Sequence, residues 1–104
     1  MFLPEFKCIV KSMSGIQKTR DMKHEYLEIV LTKPARKDEF GESIGNDDFF
    51  LVKAWNKKAT ELPGLVPGDR VNATLILQGG EGLDKESKIY HSLNLTLYKI
   101  TKVE

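Results

Sequence analysis

The chain has 104 residues, 40% of them apolar and 30% charged, the balance of one globular domain with a modest core and not of a disordered polymer. With 16 Lys plus Arg against 15 Asp plus Glu, the formal net charge is +1, so no global excess of positive charge announces a polyanionic partner. Any electrostatic case rests on where the charges sit.

In chain order, Phe6, Cys8 and Val10 alternate with Lys7, Ile9 and Lys11, which predicts a first strand over about residues 3–13. Cys8 is the single cysteine, so it has no internal disulfide partner and no CxxC neighbour; it reads as a small core residue. Ser12, Ser14 and Gly15 break the alternation. The polar stretch from Gln17 to Lys23 then forms a basic loop carrying Lys18, Arg20 and Lys23. A second strand is expected over about 24–33, with Leu27, Ile29 and Leu31 on one face and Tyr26, Glu28, Val30 and Thr32 on the other.

Pro34 ends that strand. Residues 35–48 open with Arg36-Lys37 and then carry Asp38, Glu39, Glu42, Asp47 and Asp48, with Gly41 and Gly45 among them. This segment is expected to be a flexible acidic loop. The third strand, 49–55, sends Phe50, Val52 and Ala54 to the core and Phe49, Leu51, Lys53 and Trp55 to the opposite face. A short helix follows from a cap at Asn56 through Lys57, Lys58 and Ala59 to Leu62, halted by Pro63-Gly64. Pro67-Gly68-Asp69 marks a tight turn. A fourth strand is expected over about 70–78, a hairpin loop from Gly79-Gly80-Glu81-Gly82 to Lys88, and a last strand over about 89–101. The order is five strands in one all-β domain, 1–104, with a short helix between strands three and four; periodicity leaves barrel and sandwich open.

Catalytic chemistry finds no foothold. His24 and His91 lie far apart without Cys or carboxylate at metal-ligand spacing, so no metal and no cofactor is expected. The glycines at 79–82 open no helix and cannot cradle a phosphate as a nucleotide loop does. No serine sits in a nucleophile elbow and no carboxylate pair is poised for acid–base work, so the chain does not read as an enzyme. The longest apolar run, Phe49-Phe50-Leu51-Val52, is too short to span a membrane. The first residues, Met1-Phe2-Leu3-Pro4-Glu5-Phe6, lack the pattern of an export signal, so the two Asn-x-Thr sequons at Asn72 and Asn94 carry no glycosylation meaning and a cytoplasmic location is expected.

From about Asp48 to Ile100 the chain resembles the bacterial single-stranded-DNA-binding protein family and its relatives, including the dimeric primosomal replication protein. The residues that carry the likeness are Phe50-Leu51-Val52-Lys53-Ala54-Trp55, then Ala59, Gly68-Asp69-Arg70-Val71 and the charged hairpin Asp84-Lys85-Glu86-Ser87. The resemblance implies a five-stranded Greek-key OB-fold barrel. In that family, aromatics on strand three are platforms on which bases stack; the matching positions here are Phe49 and Trp55. Each such stack contributes roughly 1–3 kcal/mol and tolerates any base. Lys53, Lys57 and Lys58 would meet phosphates, as would Lys18, Arg20 and Lys23 in the loop after strand one. Tyr90, with His91, stands at the start of strand five beside the other gripping loop.

The implied function is binding of single-stranded nucleic acid, DNA ahead of RNA, without strong sequence preference, by a homodimer or homotetramer. Three departures from the family pattern point to a divergent or accessory member. Leu75 stands where the family has Gly, the acidic loop follows strand two, and no acidic aromatic-tipped tail follows Lys102-Val103-Glu104. The alternative is a protein-interaction or assembly module that uses the same aromatic face, since Trp55 and Phe49 could pack in a subunit interface and Leu51 shares their face. Trp55 discriminates: solvent-facing beside Lys53 it favours a strand, buried against a second subunit it favours assembly.

Overall fold

The computed structural model describes residues 1–60, 62 and 64–103. It is mostly β: β1 (Phe6–Met13), β2 (Gln17–Lys18), β3 (Glu25–Lys33), β4 (Arg36–Lys37), β5 (Ser43–Ile44), β6 (Asp48–Trp55), α1 (Lys57–Thr60), β7 (Arg70–Leu83) and β8 (Ile89–Lys102). Alternation drives the long strands. Val10, Ile29, Leu31, Val52, Val71 and Leu75 are fully buried in one cluster, each flanked by residues that face outward. No helix among the described residues is long and apolar enough to cross a membrane.

The six-stranded sheet runs β1-β7-β8-β6-β3-β2, and β1 also pairs with β3, so the long strands coil around the core. The closed five-stranded barrel expected from the sequence is corrected in two respects. Three two-residue strands join the five long ones. The parallel seam between β6 and β8 holds only Val52↔Leu95 and Lys53↔Thr96, after which β8 parts from β6. Beyond Leu77 and Leu95, β7 and β8 are paired only with each other, as a projecting hairpin. That projection gives the molecule a long axis of 53 Å and a radius of gyration of 16.1 Å, against about 13 Å for a compact chain of this length.

Half of the expected hairpin loop at Gly79–Lys88 is strand. β7 continues through the glycines to Leu83, and only Asp84–Lys88 turns. Glycine weakens an isolated strand, but here the partner strand covers it. The Tyr90 ring lies over Gly82 so closely that a Cβ there would come within 2.6 Å of the phenol oxygen, and Gly80 leaves the same room for the Ser92 hydroxyl. The expected loop at 35–48 likewise contains a ladder, Arg36↔Ile44 and Lys37↔Ser43. Asp38 Oδ1 accepts from the backbone N–H groups of Phe40 and Glu42 at its tip, and Asp47 Oδ1 accepts from Ala35 N at its base.

The expected helix is four residues long. Its continuation at Glu61 and its stop at Pro63 lie outside the described residues; Leu62 is buried but not helical. The Pro67-Gly68-Asp69 turn is as expected, with Asp69 N donating to Val66 O at 3.1 Å and Gly68 at φ +97. Gly68 N donates to Val10 O and Val10 N to Asp69 O, which docks the turn against β1.

Cys8 is 3% exposed, and burial pushes its thiol up to about 11. At pH 8 it is therefore protonated and shielded. A thiol reagent is expected to leave the native chain unmodified and to label one group per chain in denaturant. Fast labelling of the native state would contradict this placement.

Candidate functional site

The antiparallel ladder between β3 and β6 sets four cross-strand pairs on its outer face: Tyr26↔Trp55, Glu28↔Lys53, Val30↔Leu51 and Thr32↔Phe49. At the α1 end, the Tyr26 and Trp55 rings lie 5.1 Å apart with a 41° tilt. The Lys53 ammonium stands 5.2 Å from the Tyr26 centroid and 5.7 Å from that of Trp55. Both rings are partly exposed, so this is a solvent-facing aromatic pair with a cation over it. Tyr26 is further held by its hydroxyl, which donates to Gln17 Oε1 at 3.3 Å.

Asn56 fixes the end of this ladder in a way its sequence position does not announce. It is not the side-chain cap of α1. The chain turns at Asn56 with φ +49, so its amide side chain points back to β3. Asn56 N donates to Glu25 O at 2.7 Å, and its Oδ1 accepts from Glu25 N at 3.0 Å. Its Nδ2 lies 3.2 Å from His24 Nδ1. Asn tolerates this left-handed conformation better than other side chains, and the two bonds to Glu25 offset its cost.

At the other end of β6, Phe49 is 55% exposed with the Lys11 ammonium 4.3 Å from its centroid. Lys11 stands on the same outer face, on β1, whose Ile9 pairs with Thr32 and through it with Phe49. Phe49 and Trp55 are thus two separate cation-covered aromatic centres, six residues or about 20 Å apart along the strand. Between them a groove of about 700 Å³ opens where β8 leaves β6, lined by Leu51, Lys53, Trp55, Leu77, Leu93 and Leu95 among others.

The structure brings together most of the basic residues singled out in the sequence around Trp55, and leaves two aromatics, Phe49 and Tyr90, apart. Lys18 lies on β2, opposite Glu25 and next to the Gln17↔Tyr26 pair. Arg20 and Lys23 sit in the adjoining turn, closed by Thr19 N donating to His24 O and Met22 N to Thr19 O. Lys57 and Lys58 stand on α1 just beyond Trp55, with the Lys58 ammonium 5.0 Å from the Tyr98 centroid. Tyr90 is elsewhere: it pairs with Gly82 in the projecting hairpin, six residues along β8 from the level of Lys53. Sequence reasoning placed Tyr26 on the outer face but did not single it out, because the β3–β6 register that sets it against Trp55 is a tertiary fact. Alternation put Lys11 on the outer face of β1, but its meeting with Phe49 depends on the pairing of β1 with β3 and of β3 with β6.

The turn holds itself together through Asp21. Its carboxyl is held below the ordinary 3.8 by a hydrogen bond from the Thr19 hydroxyl and then by Lys23 N. Because the folded pKa is depressed, the contribution is complete above 3.8 and disappears as pH falls through the lower folded value. The amide resonances of residues 19–24 are expected to shift together below pH 4 while those of β3 stay in place.

No family model matches the sequence, and no curated protein matches it. Solved structures do match. The single-stranded DNA binding protein from Thermus aquaticus superposes with a TM-score of 0.69 at 16% identity, over 96% of this chain and 48% of that one. This chain therefore spans about half the length of that protein. The small single-stranded DNA-binding protein from Streptomyces coelicolor gives 0.66 at 16% identity over 99% and 94% of the two chains. The PriB protein from Ralstonia solanacearum gives 0.67 at 12% identity over 99% and 97%. At these identities the likeness is one of fold: the chain has the OB-type fold of the single-stranded-DNA-binding and PriB structures.

Proposed function

We propose that this OB-type chain is a single non-enzymatic domain, acting in the cytoplasm, that binds single-stranded DNA with little regard to sequence. The observation that carries the reading is the Tyr26–Trp55 pair on the outer face with the Lys53 ammonium over both rings. Such a site offers a π-face to any exposed base and a positive charge to the phosphate that follows it. Lys18, Arg20, Lys23, Lys57 and Lys58 surround that end of the face and supply further phosphate contacts. A duplex hides its base faces and gains only the electrostatic part. The five long strands serve as the barrel scaffold, and the short helix after β6 holds Lys57 and Lys58 beside Trp55.

The exposed apolar residues of the hairpin, Leu83, Ile89 and Leu93, support a second element of the reading. We place self-association there, as a homodimer or homotetramer, which leaves the Tyr26–Trp55 end open. Light scattering on the wild type and on Leu93→Lys distinguishes this from a monomer.

The function itself is tested by fluorescence anisotropy with an end-labelled oligothymidine of about 30 nucleotides and a duplex of equal length. The reading predicts saturable binding of the single strand, weaker binding of the duplex, and an affinity that falls with salt at a slope of about 0.7 per phosphate contacted. Equal binding of both, or none at low salt, would leave the aromatic face to a protein partner.

A further inference from the structure

A second aromatic centre lies on the same outer face beyond the Tyr26–Trp55 pair, and Lys58 stands over it. The β6–β8 seam ends at Lys53↔Thr96, and Trp55 and Tyr98 each stand two residues past that pair on parallel strands. The Tyr98 ring packs edge-on against Phe2, centroids 4.9 Å apart at 80°, and Lys58 from α1 holds its ammonium 5.0 Å from the Tyr98 centroid. Phe2 is 61% exposed and Tyr98 46%, although both are large aromatics in a small domain. Phe2 is held in place by backbone. It bridges Ile76, Leu3 N donates to Leu75 O at 2.9 Å, and Leu77 N donates to Met1 O at 2.8 Å. Ile76 in turn pairs with Thr96, which places the first residues on the same transverse row as Lys53.

The Tyr26–Trp55 and Tyr98–Phe2 pairs thus follow one another as a row across the strands, the first on β3 and β6, the second on β8 and beside β7, with the end of the β6–β8 seam between them. The charges that stand over its rings, Lys53 and Lys58, are both cationic. A row of π-faces with interleaved ammonium groups complements a chain of bases joined by phosphates, and it complements an acidic or apolar surface less well.

We propose that Phe2, Tyr98 and Lys58 form a second base-stacking subsite, so that the nucleic-acid strand crosses the sheet from Tyr26–Trp55 to Tyr98–Phe2. The proposal rests on the single-strand reading above and fixes the path of the strand. The rival path runs along β6 from Trp55 past Leu51 to Phe49, and the two paths make opposite demands on Tyr98 and Phe49.

The test measures the affinity of the full chain for a 12-nucleotide oligothymidine by anisotropy, for wild type, Phe2→Leu, Tyr98→Leu, Lys58→Gln and Phe49→Leu. Leucine keeps an apolar side chain at these positions and removes the π-face, and in Tyr98→Leu the phenol hydroxyl with it. Thermal melts select the variants that remain folded. Tyr98→Leu and Phe2→Leu are expected to weaken binding at least about fivefold, the lower bound for a lost base stack. Quenching of Trp55 persists at saturation in both, and Lys58→Gln lowers the salt slope. Phe49→Leu changes affinity less than twofold. Unchanged binding by Tyr98→Leu together with a loss in Phe49→Leu overturns the transverse path and leaves the single-strand reading intact. A wild type that binds no oligothymidine removes the parent reading, and this one with it.

Discussion

Replacing Trp55 with alanine is expected to weaken single-strand binding by about 1–3 kcal/mol, or roughly 5- to 150-fold, with little change in stability. The ring is partly exposed and packs chiefly against Tyr26, so its removal leaves no closed cavity in the core. Tyr26→Ala is expected to give a loss in the same range. The two losses should not add, because each ring supports the other at 5.1 Å and both face the same ammonium. A double-mutant cycle by anisotropy, with circular dichroism to verify folding, measures that coupling. Full affinity in Trp55→Ala would remove the pair from the binding surface, and strictly additive losses would mean that the two rings act independently.

The largest stability effect is expected at Ile29. It is 0% exposed, on the inner face of β3 opposite Val52, at the centre of the core. Ile29→Ala removes three buried carbons and leaves a cavity that close-packed neighbours fill only in part, at a cost of about 2–5 kcal/mol. Domains of this size have total stabilities of about 5–15 kcal/mol, so the variant sits near the margin. Urea denaturation should show a lower midpoint with an unchanged slope. Binding per folded molecule should stay the same, because Ile29 points away from the Tyr26–Trp55 face. A drop below about 1 kcal/mol would mean that the core is less tightly packed than the burial implies.

The contrast between Trp55 and Ile29 is one that strand alternation made legible. The period of two along 49–55 assigned Val52 and Ala54 to the core and Phe49, Lys53 and Trp55 to the outer face, and along 24–33 it put Leu27, Ile29 and Leu31 on one shared face; Leu27, Ile29, Leu31, Val52 and Ala54 are all found buried. What alternation does not carry is pairing between distant strands. Tyr26 gained its meaning from the β3–β6 register, Lys11 from the pairing of β1 with β3 and of β3 with β6, and Phe2 from a bridge to Ile76 across 74 residues of chain.

The glycines misled for a different reason. Gly79, Gly80 and Gly82 signal a turn when read locally, yet Tyr90 and Ser92 on the partner strand occupy the space that their missing side chains leave. Asn56 was read as a helix cap because it precedes α1, whereas its left-handed backbone turns the amide toward Glu25. In each case a non-local contact overrode a sound local preference.

Trp55 is the one tryptophan of the chain, so its intrinsic fluorescence reports the centre of the proposed site without a label. The most direct measurement is therefore a titration of the wild-type protein with an oligothymidine of about 30 nucleotides, following that emission at low salt and again at moderate salt. The account predicts saturable quenching that weakens as salt rises. Binding seen by mobility shift with no change in Trp55 emission, or no binding at all at low salt, would contradict it.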